Sequence, residues 1–223
     1  MSNKTIASLI IGYRMQNTNM HKVVKQARNY SDSVVLVYCR DNEESVPLEV
    51  LKEVDLYCEF KQAASYVGRI TYYINEISAV KIGLGLVEHI AEYVIKINAD
   101  ILFKDDIDRA KHFEYLGDNG FYGLTWNDIV STFFWFGNIR EITNMYGRMD
   151  PRNIDYYTNI VQDSNKGRDI ETIQTRCLNS SGIKYKLIKA PETDEYKQWQ
   201  DTFGLVHLDH PHYDYVNTFR LPK

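Results

Sequence analysis

Asn98-Ala99-Asp100 closes one apolar run, Tyr93-Val94-Ile95-Lys96-Ile97, and opens another, Ile101-Leu102-Phe103. An ionised carboxylate buried without a partner is costly or takes up a proton, so Asp100 is expected at a strand end, facing a cation, a donor or solvent. An Asn or Asp two residues ahead of an Asp, on a turn at a strand end, can hold a divalent cation shared with the two phosphates of a nucleotide diphosphate. Oxygen ligands of this kind suit Mg²⁺ or Mn²⁺. The competing role for Asp100 is a helix N-cap, with Ile101 starting a turn and Asp105 and Asp106 close by.

Other residues could serve the same chemistry. Lys96 alternates away from Ile95 and Ile97 on its strand, so it either approaches a phosphate or pairs with a carboxylate. Arg14, just past Gly12, and Arg69 are read on loops near the same edge, where forked donors could offset diphosphate charge; surface arginines in plain solvent are the alternative. His207-Leu208-Asp209-His210-Pro211-His212-Tyr213-Asp214 gathers three imidazoles in a chain with 6 histidines. That density suggests metal binding, although a solvated loop would read the same. Addition of a sugar with inversion needs a carboxylate base beside the acceptor hydroxyl. Glu171, then Asp169, in Arg168-Asp169-Ile170-Glu171, and Asp128 in Trp126-Asn127-Asp128 are the candidates. Asp169 and Glu171 in a first helical turn are also favoured by the helix dipole alone.

The elements that must position these groups alternate. Ile6–Ile11 is an apolar run ended by Gly12, and Met20–Tyr30 spaces Val23, Val24, Ala27 and Tyr30 as a helix. Ser33–Tyr38 and Val54–Phe60 read as strands, with Pro47–Val54 helical between them. Tyr72–Ile90 carries Ile74, Ile77, Val80, Leu84 and Val87 on one helical face and feeds the strand Tyr93–Ile97. Strand-helix alternation predicts an α/β fold with a mostly parallel sheet covered on both faces. Ligands in such sheets bind at the carboxyl ends of strands, which is where 12–17, 41–44 and 98–100 fall. Beyond residue 105, Phe121–Trp126 and Ser131–Phe136 are expected as strands of a second, acceptor-side region, Ile170–Leu178 as a helix and Tyr185–Ile188 as a last strand. Trp126 and Trp135 are candidates to stack on an acceptor sugar, while Phe133, Phe134 and Phe136 are expected in the core. Residues 164–167 are the expected loop.

In order of elements the chain resembles the GT-A glycosyltransferases, in which an Asp-x-Asp motif follows a strand; Asn98-Ala99-Asp100 is the variant here. It is most similar to the WavE-type lipopolysaccharide-synthesis glycosyltransferases over residues 69–103. Ile74, Asn75, Ile77, Ser78, Gly83 and Leu84, then Tyr93, Val94, Lys96 and Asp100, carry the likeness, and Asn98 stands where that family has Arg. The resemblance implies one domain spanning 1–223, with 1–104 binding the nucleotide sugar and 105–223 holding a carbohydrate acceptor. It implies Mn²⁺ or Mg²⁺ on Asp100, completed by a late histidine, His207 or His210. It also implies that Asp41, otherwise an exposed turn residue, accepts from a base or ribose, that neutral Asn98 contacts ribose or sugar, and that Asp169 and Glu171 form the acidic pair at the head of the corresponding helix.

Composition narrows the field. With 223 residues and 44% apolar residues the chain is long enough for one sizeable core. A net charge of -4 leaves no electrostatic footprint for duplex nucleic acid. Cys39, Cys58 and Cys177 are odd in number and lack paired Cys-x-x-Cys spacing, as expected for reduced thiols. The apolar run near the N-terminus is too short to span a bilayer, so a cytoplasmic location without a transmembrane segment is expected, or else the soluble domain of something longer. Two rivals remain. A sugar nucleotidyltransferase usually shows a glycine-rich basic loop after its first strand, and Gly12-Tyr13-Arg14-Met15-Gln16 has a single glycine. A non-catalytic carbohydrate-binding module is kept open by Asn98.

Overall fold

The computed structural model describes residues 4–12, 20–40, 45–61, 69–99, 101–103, 109–126, 129–150, 169–189 and 218–219, with backbone only at 69–73, 103, 126, 169, 189 and 218–219. The elements run β1 (Ile6–Gly12), α1 (Met20–Tyr30), β2 (Ser33–Arg40), α2 (Leu48–Leu51), β3 (Leu56–Lys61), α3 (Arg69–Val87) and β4 (Tyr93–Asn98). They continue with β5 (Leu102–Phe103), α4 (Arg109–Leu116), β6 (Phe121–Trp126), β7 (Ile129–Asn138), α5 (Ile139–Gly147), α6 (Asp169–Ser181), β8 (Tyr185–Lys189) and β9 (Thr218–Phe219).

Seven strands form one sheet in the order β3-β2-β1-β4-β7-β6-β8, and β5 pairs with β9 in a separate ladder. β1 runs parallel to both β2 and β4, whereas β7 lies antiparallel between β4 and β6. The expected α/β sheet is therefore present, mostly parallel and mixed. β6 and β7, expected as strands, hydrogen-bond into this same sheet, because β7 reverses direction and pairs with β4.

Every residue of β1 is buried, as a strand sandwiched on both faces requires. Alternate side chains sort into two cores. Ile6, Ile10, Leu36, Ile97, Tyr122 and Phe134 meet α1 and α4; Leu9, Ile11, Val37, Val94, Trp135 and Ile173 meet α3, α5 and α6. The stripe read on α3 is buried throughout, from Ile74 to Val87. Trp135 is fully buried against Phe121 and Tyr146, with ring centroids 6.1 Å and 5.8 Å away, so it is a core residue and not an acceptor platform. Phe134 and Phe136 are core as expected, Phe133 is half-buried, and the side chain of Trp126 lies outside the described residues.

The two glycines of Gly83-Leu84-Gly85 have opposite roles in α3. A Cβ on Gly83 would stand 2.2 Å from Leu9 Cδ1 and 2.7 Å from Cδ2, whereas one on Gly85 would meet nothing within 4 Å. Leu9 is fully buried on β1 and has no room to retreat. Gly83→Ala is expected to destabilise by about 1–3 kcal/mol through overpacking. Gly85→Ala should stabilise by up to about 1 kcal/mol through helix propensity, and urea unfolding of the two variants checks the opposite signs.

Two carboxylates brace the amino edge of the sheet in the same way. Asp32 accepts from the Ile6 N–H at 2.8 Å and from Arg109, and Asp55 accepts from the Val34 N–H at 2.7 Å and from Arg28 at 2.6 Å. Burial alone would raise both carboxyls, but the guanidinium and the strand N–H outweigh it and hold each below the ordinary carboxylate range. The fold thus favours the ionised forms. Their contribution, softened by solvent at these half-exposed sites, is present above about pH 4 and lost as pH falls through the depressed folded values. Asp32→Asn/Asp55→Asn should be less stable than wild type at neutral pH, with the gap closing in acid; urea midpoints across pH show this.

Candidate active site

The carboxyl ends of β1, β2, β3, β4, β6 and β8 lie along one edge, together with the start of β7. Gly12, at the end of β1, is closely packed. A Cβ there would come 3.0 Å from Met20 Cε, 3.4 Å from Tyr38 Cδ2 and 3.5 Å from Ala99 Cβ. The chain turns after β4 with the Ala99 N–H donating to Ile11 O at 2.8 Å and the Ile101 N–H to Asn98 O at 3.1 Å. At the ends of β2 and β3, Arg40 pairs with Glu59 at 2.8 Å, and the Tyr57 hydroxyl donates to the other Glu59 oxygen at 2.6 Å. Tyr57 first and Arg40 second hold the Glu59 carboxyl below its usual range.

Beneath the edge sits a buried polar cluster. Lys96 is fully buried; its ammonium donates to Glu76 Oε1 at 2.5 Å, to Asn98 Oδ1 at 2.5 Å and to the Thr132 carbonyl. Glu76 is 1% exposed and Asn98 5% exposed. Three donors thus meet three oxygens from α3, β4 and β7, the condition under which an interior ion pair is tolerated. Burial, and then the Glu76 charge, push the neighbouring Tyr146 phenol well above its ordinary range. The cluster reaches α6, where the Thr132 hydroxyl donates to Glu171 Oε1 at 3.2 Å. Thr175 ties the same helix turn to β7: its hydroxyl donates to Glu171 O at 2.6 Å and accepts from the Val130 N–H at 2.8 Å.

The structure therefore brings Lys96, Asn98 and Glu171 into one continuous cluster. Of the two roles open for Lys96, it takes the carboxylate pairing, and its ammonium is fully engaged away from any phosphate. Asn98 has given its amide oxygen to that ammonium. Arg69 begins α3 and does not sit on a loop, and its side chain, like that of Asp169, lies outside the described residues. Arg14, Asp41, Asp100, Asp128, His207 and His210 also lie outside them, as do Asp105, Asp106 and 164–167. Their described neighbours nonetheless end on this edge: Gly12 precedes the segment with Arg14, Arg40 precedes Asp41, and Ala99 and Ile101 flank Asp100. The Trp126–Ile129 register pair flanks Asn127-Asp128. The β5–β9 ladder sets residues 218–219 against 102–103, downstream of both histidines and just past Asp100.

Among the described residues no three His, Cys, Asp or Glu side chains gather as a metal site. In the Asn98-Ala99-Asp100 motif, the side-chain oxygen of Asn98 is held by Lys96. Glu76, Thr132 and Thr175 were missed in the sequence. A signal for Glu76 existed: it precedes Val80, Gly83 and Val87 at helical spacing, so it continues their buried stripe and needs a buried cation as partner.

No family model and no curated protein sequence matches the chain. Solved structures do, among them two enzymes. The 4-diphosphocytidyl-2C-methyl-D-erythritol synthase of Anaerococcus prevotii superposes with a TM-score of 0.50 at 12% identity, covering 88% of this chain and 93% of that one. The glycosyltransferase GlyE of Streptococcus pneumoniae superposes with a TM-score of 0.52 at 12% identity, covering 83% of this chain and 45% of that one. This chain thus spans less than half of GlyE. Identity this low shows fold alone, and that fold is the α/β sheet shared by these transferases.

Proposed function

We propose that the chain is a metal-dependent glycosyltransferase that moves a sugar from a nucleotide diphosphate sugar to a hydroxyl of a glycan acceptor, in polysaccharide biosynthesis of the WavE type. The observation that carries this reading is the joining of Asn98, at the end of β4, to Glu171, at the head of α6, through Lys96 and Thr132 on a GT-A-like sheet. Donor-side and base-side candidates, far apart in sequence, thus meet on one edge. Arg14, Arg69 and Asp41 are assigned to the diphosphate and nucleoside, and Asp100 with His207 or His210 to Mn²⁺ or Mg²⁺. When bound, that cation would offset the charge that grows on the departing diphosphate.

Glu171 takes the proton of the acceptor hydroxyl. The acceptor oxygen bonds to the anomeric carbon while the carbon–oxygen bond to the diphosphate breaks, its electron pair leaving with the diphosphate. No helix among the described residues is long and apolar enough to cross a membrane. A cytoplasmic site of action, where nucleotide sugars are made, completes the proposal.

Thermal unfolding with UDP, GDP and CDP, with and without Mn²⁺, tests it. A Mn²⁺-dependent rise in Tm with one diphosphate, absent in Asp100→Ala, is the expected result. Pyrophosphate release from a sugar phosphate and a nucleoside triphosphate would instead assign the chain to the nucleotidyltransferases, whose fold it shares with the Anaerococcus enzyme. No response to any nucleotide would leave a carbohydrate-binding module.

A further inference from the structure

The Lys96 cluster determines which end of the Asn98 amide is already committed. An ammonium carries donors only, so the Asn98 atom 2.5 Å from Lys96 Nζ is the amide oxygen on chemical grounds alone. The –NH₂ end is then the free one, and it donates to no group among the described residues. Asn98 is the last residue of β4, in register with Ile11 and two residues before Asp100. The Glu76 carboxylate, brought in from α3, accepts from the same ammonium at 2.5 Å and helps to hold it against Asn98.

We propose that Lys96 and Glu76 are a positioning pair that reserves the side-chain oxygen of Asn98, so that position 98, two residues before Asp100 in the chain, offers a hydrogen-bond donor and not a metal ligand. What that donor faces rests on the glycosyltransferase reading; the pairing itself does not. The Asn-x-Asp arrangement here is thus chemically different from two adjacent carboxylates. Asp at position 98 would keep one oxygen on Lys96 and set a second where the –NH₂ now stands, so the substitution exchanges the donor for an oxygen ligand.

Two measurements on the full chain test this. In the first, Mn²⁺ binding is followed by electron paramagnetic resonance of the free ion. Asn98→Ala is expected to bind within about threefold of wild type, because the oxygen it removes is already committed to Lys96, while Asn98→Asp binds at least about tenfold tighter. A tenfold loss of affinity in Asn98→Ala overturns the proposal, because it makes the Asn98 oxygen a ligand. In the second, the Lys96 ammonium is observed by ¹⁵N NMR in the unliganded protein. A resolved, slowly exchanging signal that moves in Asn98→Ala is expected, and a signal indifferent to Asn98→Ala overturns the pairing even if no variant binds Mn²⁺. If no nucleoside diphosphate binds, the glycosyltransferase reading fails while these two outcomes still decide the role of Lys96.

Discussion

Lys96→Met is expected to lower stability by about 3–5 kcal/mol, because it leaves the Glu76 carboxylate buried and without its cation. Glu76 is 1% exposed and Lys96 fully buried, so water cannot replace the lost ammonium without opening the contact between α3 and β4. Asn98 Oδ1 and the Thr132 carbonyl lose a donor in the same step. For a chain of this length the change corresponds to a fall in Tm on the order of 10 °C. Lys96→Met/Glu76→Leu removes both charges and should recover more than half of the loss, since a buried pair replaced by apolar side chains of similar volume is often close to neutral. Urea unfolding decides it. A single variant within about 1 kcal/mol of wild type would mean that the pair is solvated and holds nothing in place.

Under the proposed glycosyltransferase reaction, with Glu171 as its base, Glu171→Gln should cost about 10²–10⁴-fold in kcat, the range for loss of a positioned general base. Gln keeps the size of the side chain and an oxygen to accept from the Thr132 hydroxyl, so the first turn of α6 stays joined to β7 through Thr132 and Thr175. KM for the nucleotide sugar should change less than about threefold, because the residue acts on the acceptor proton. Steady-state kinetics with a donor identified from the nucleotide screen separates the two constants. A full-rate Glu171→Gln enzyme would move the base to Asp169 or Asp128, each testable by the same amide substitution.

Local pattern carried much of this molecule. The apolar runs of β1, β2 and β4, the stripe from Ile74 to Val87 and the helix from Met20 to Tyr30 all form as their spacing requires, because burial of one face or both is written in period 2 or 3.6. The three cysteines are free, as their spacing implied. Boundaries drifted where no cap marked them: the helix read over Pro47–Val54 shrinks to Leu48–Leu51, and Pro47, with no side chain able to cap, precedes its first residue.

Where neighbours had to be chosen, spacing was silent. Trp135 has the residue type of a sugar platform, yet β7 turns it into the core beside Tyr146. Lys96 has the residue type of a phosphate ligand, yet the carboxylate that claims it comes from α3, twenty residues earlier. The alternation of strand and helix determined by itself that the chain forms an α/β sheet with its candidate chemistry at the carboxyl ends. Only the tertiary structure decided that β7 enters antiparallel beside β4, and therefore that Thr132 and Glu171 stand next to Lys96 and Asn98. The reason is physical: periodicity reports which face of an element leaves water, while the partner met there depends on strand order, which no single segment encodes.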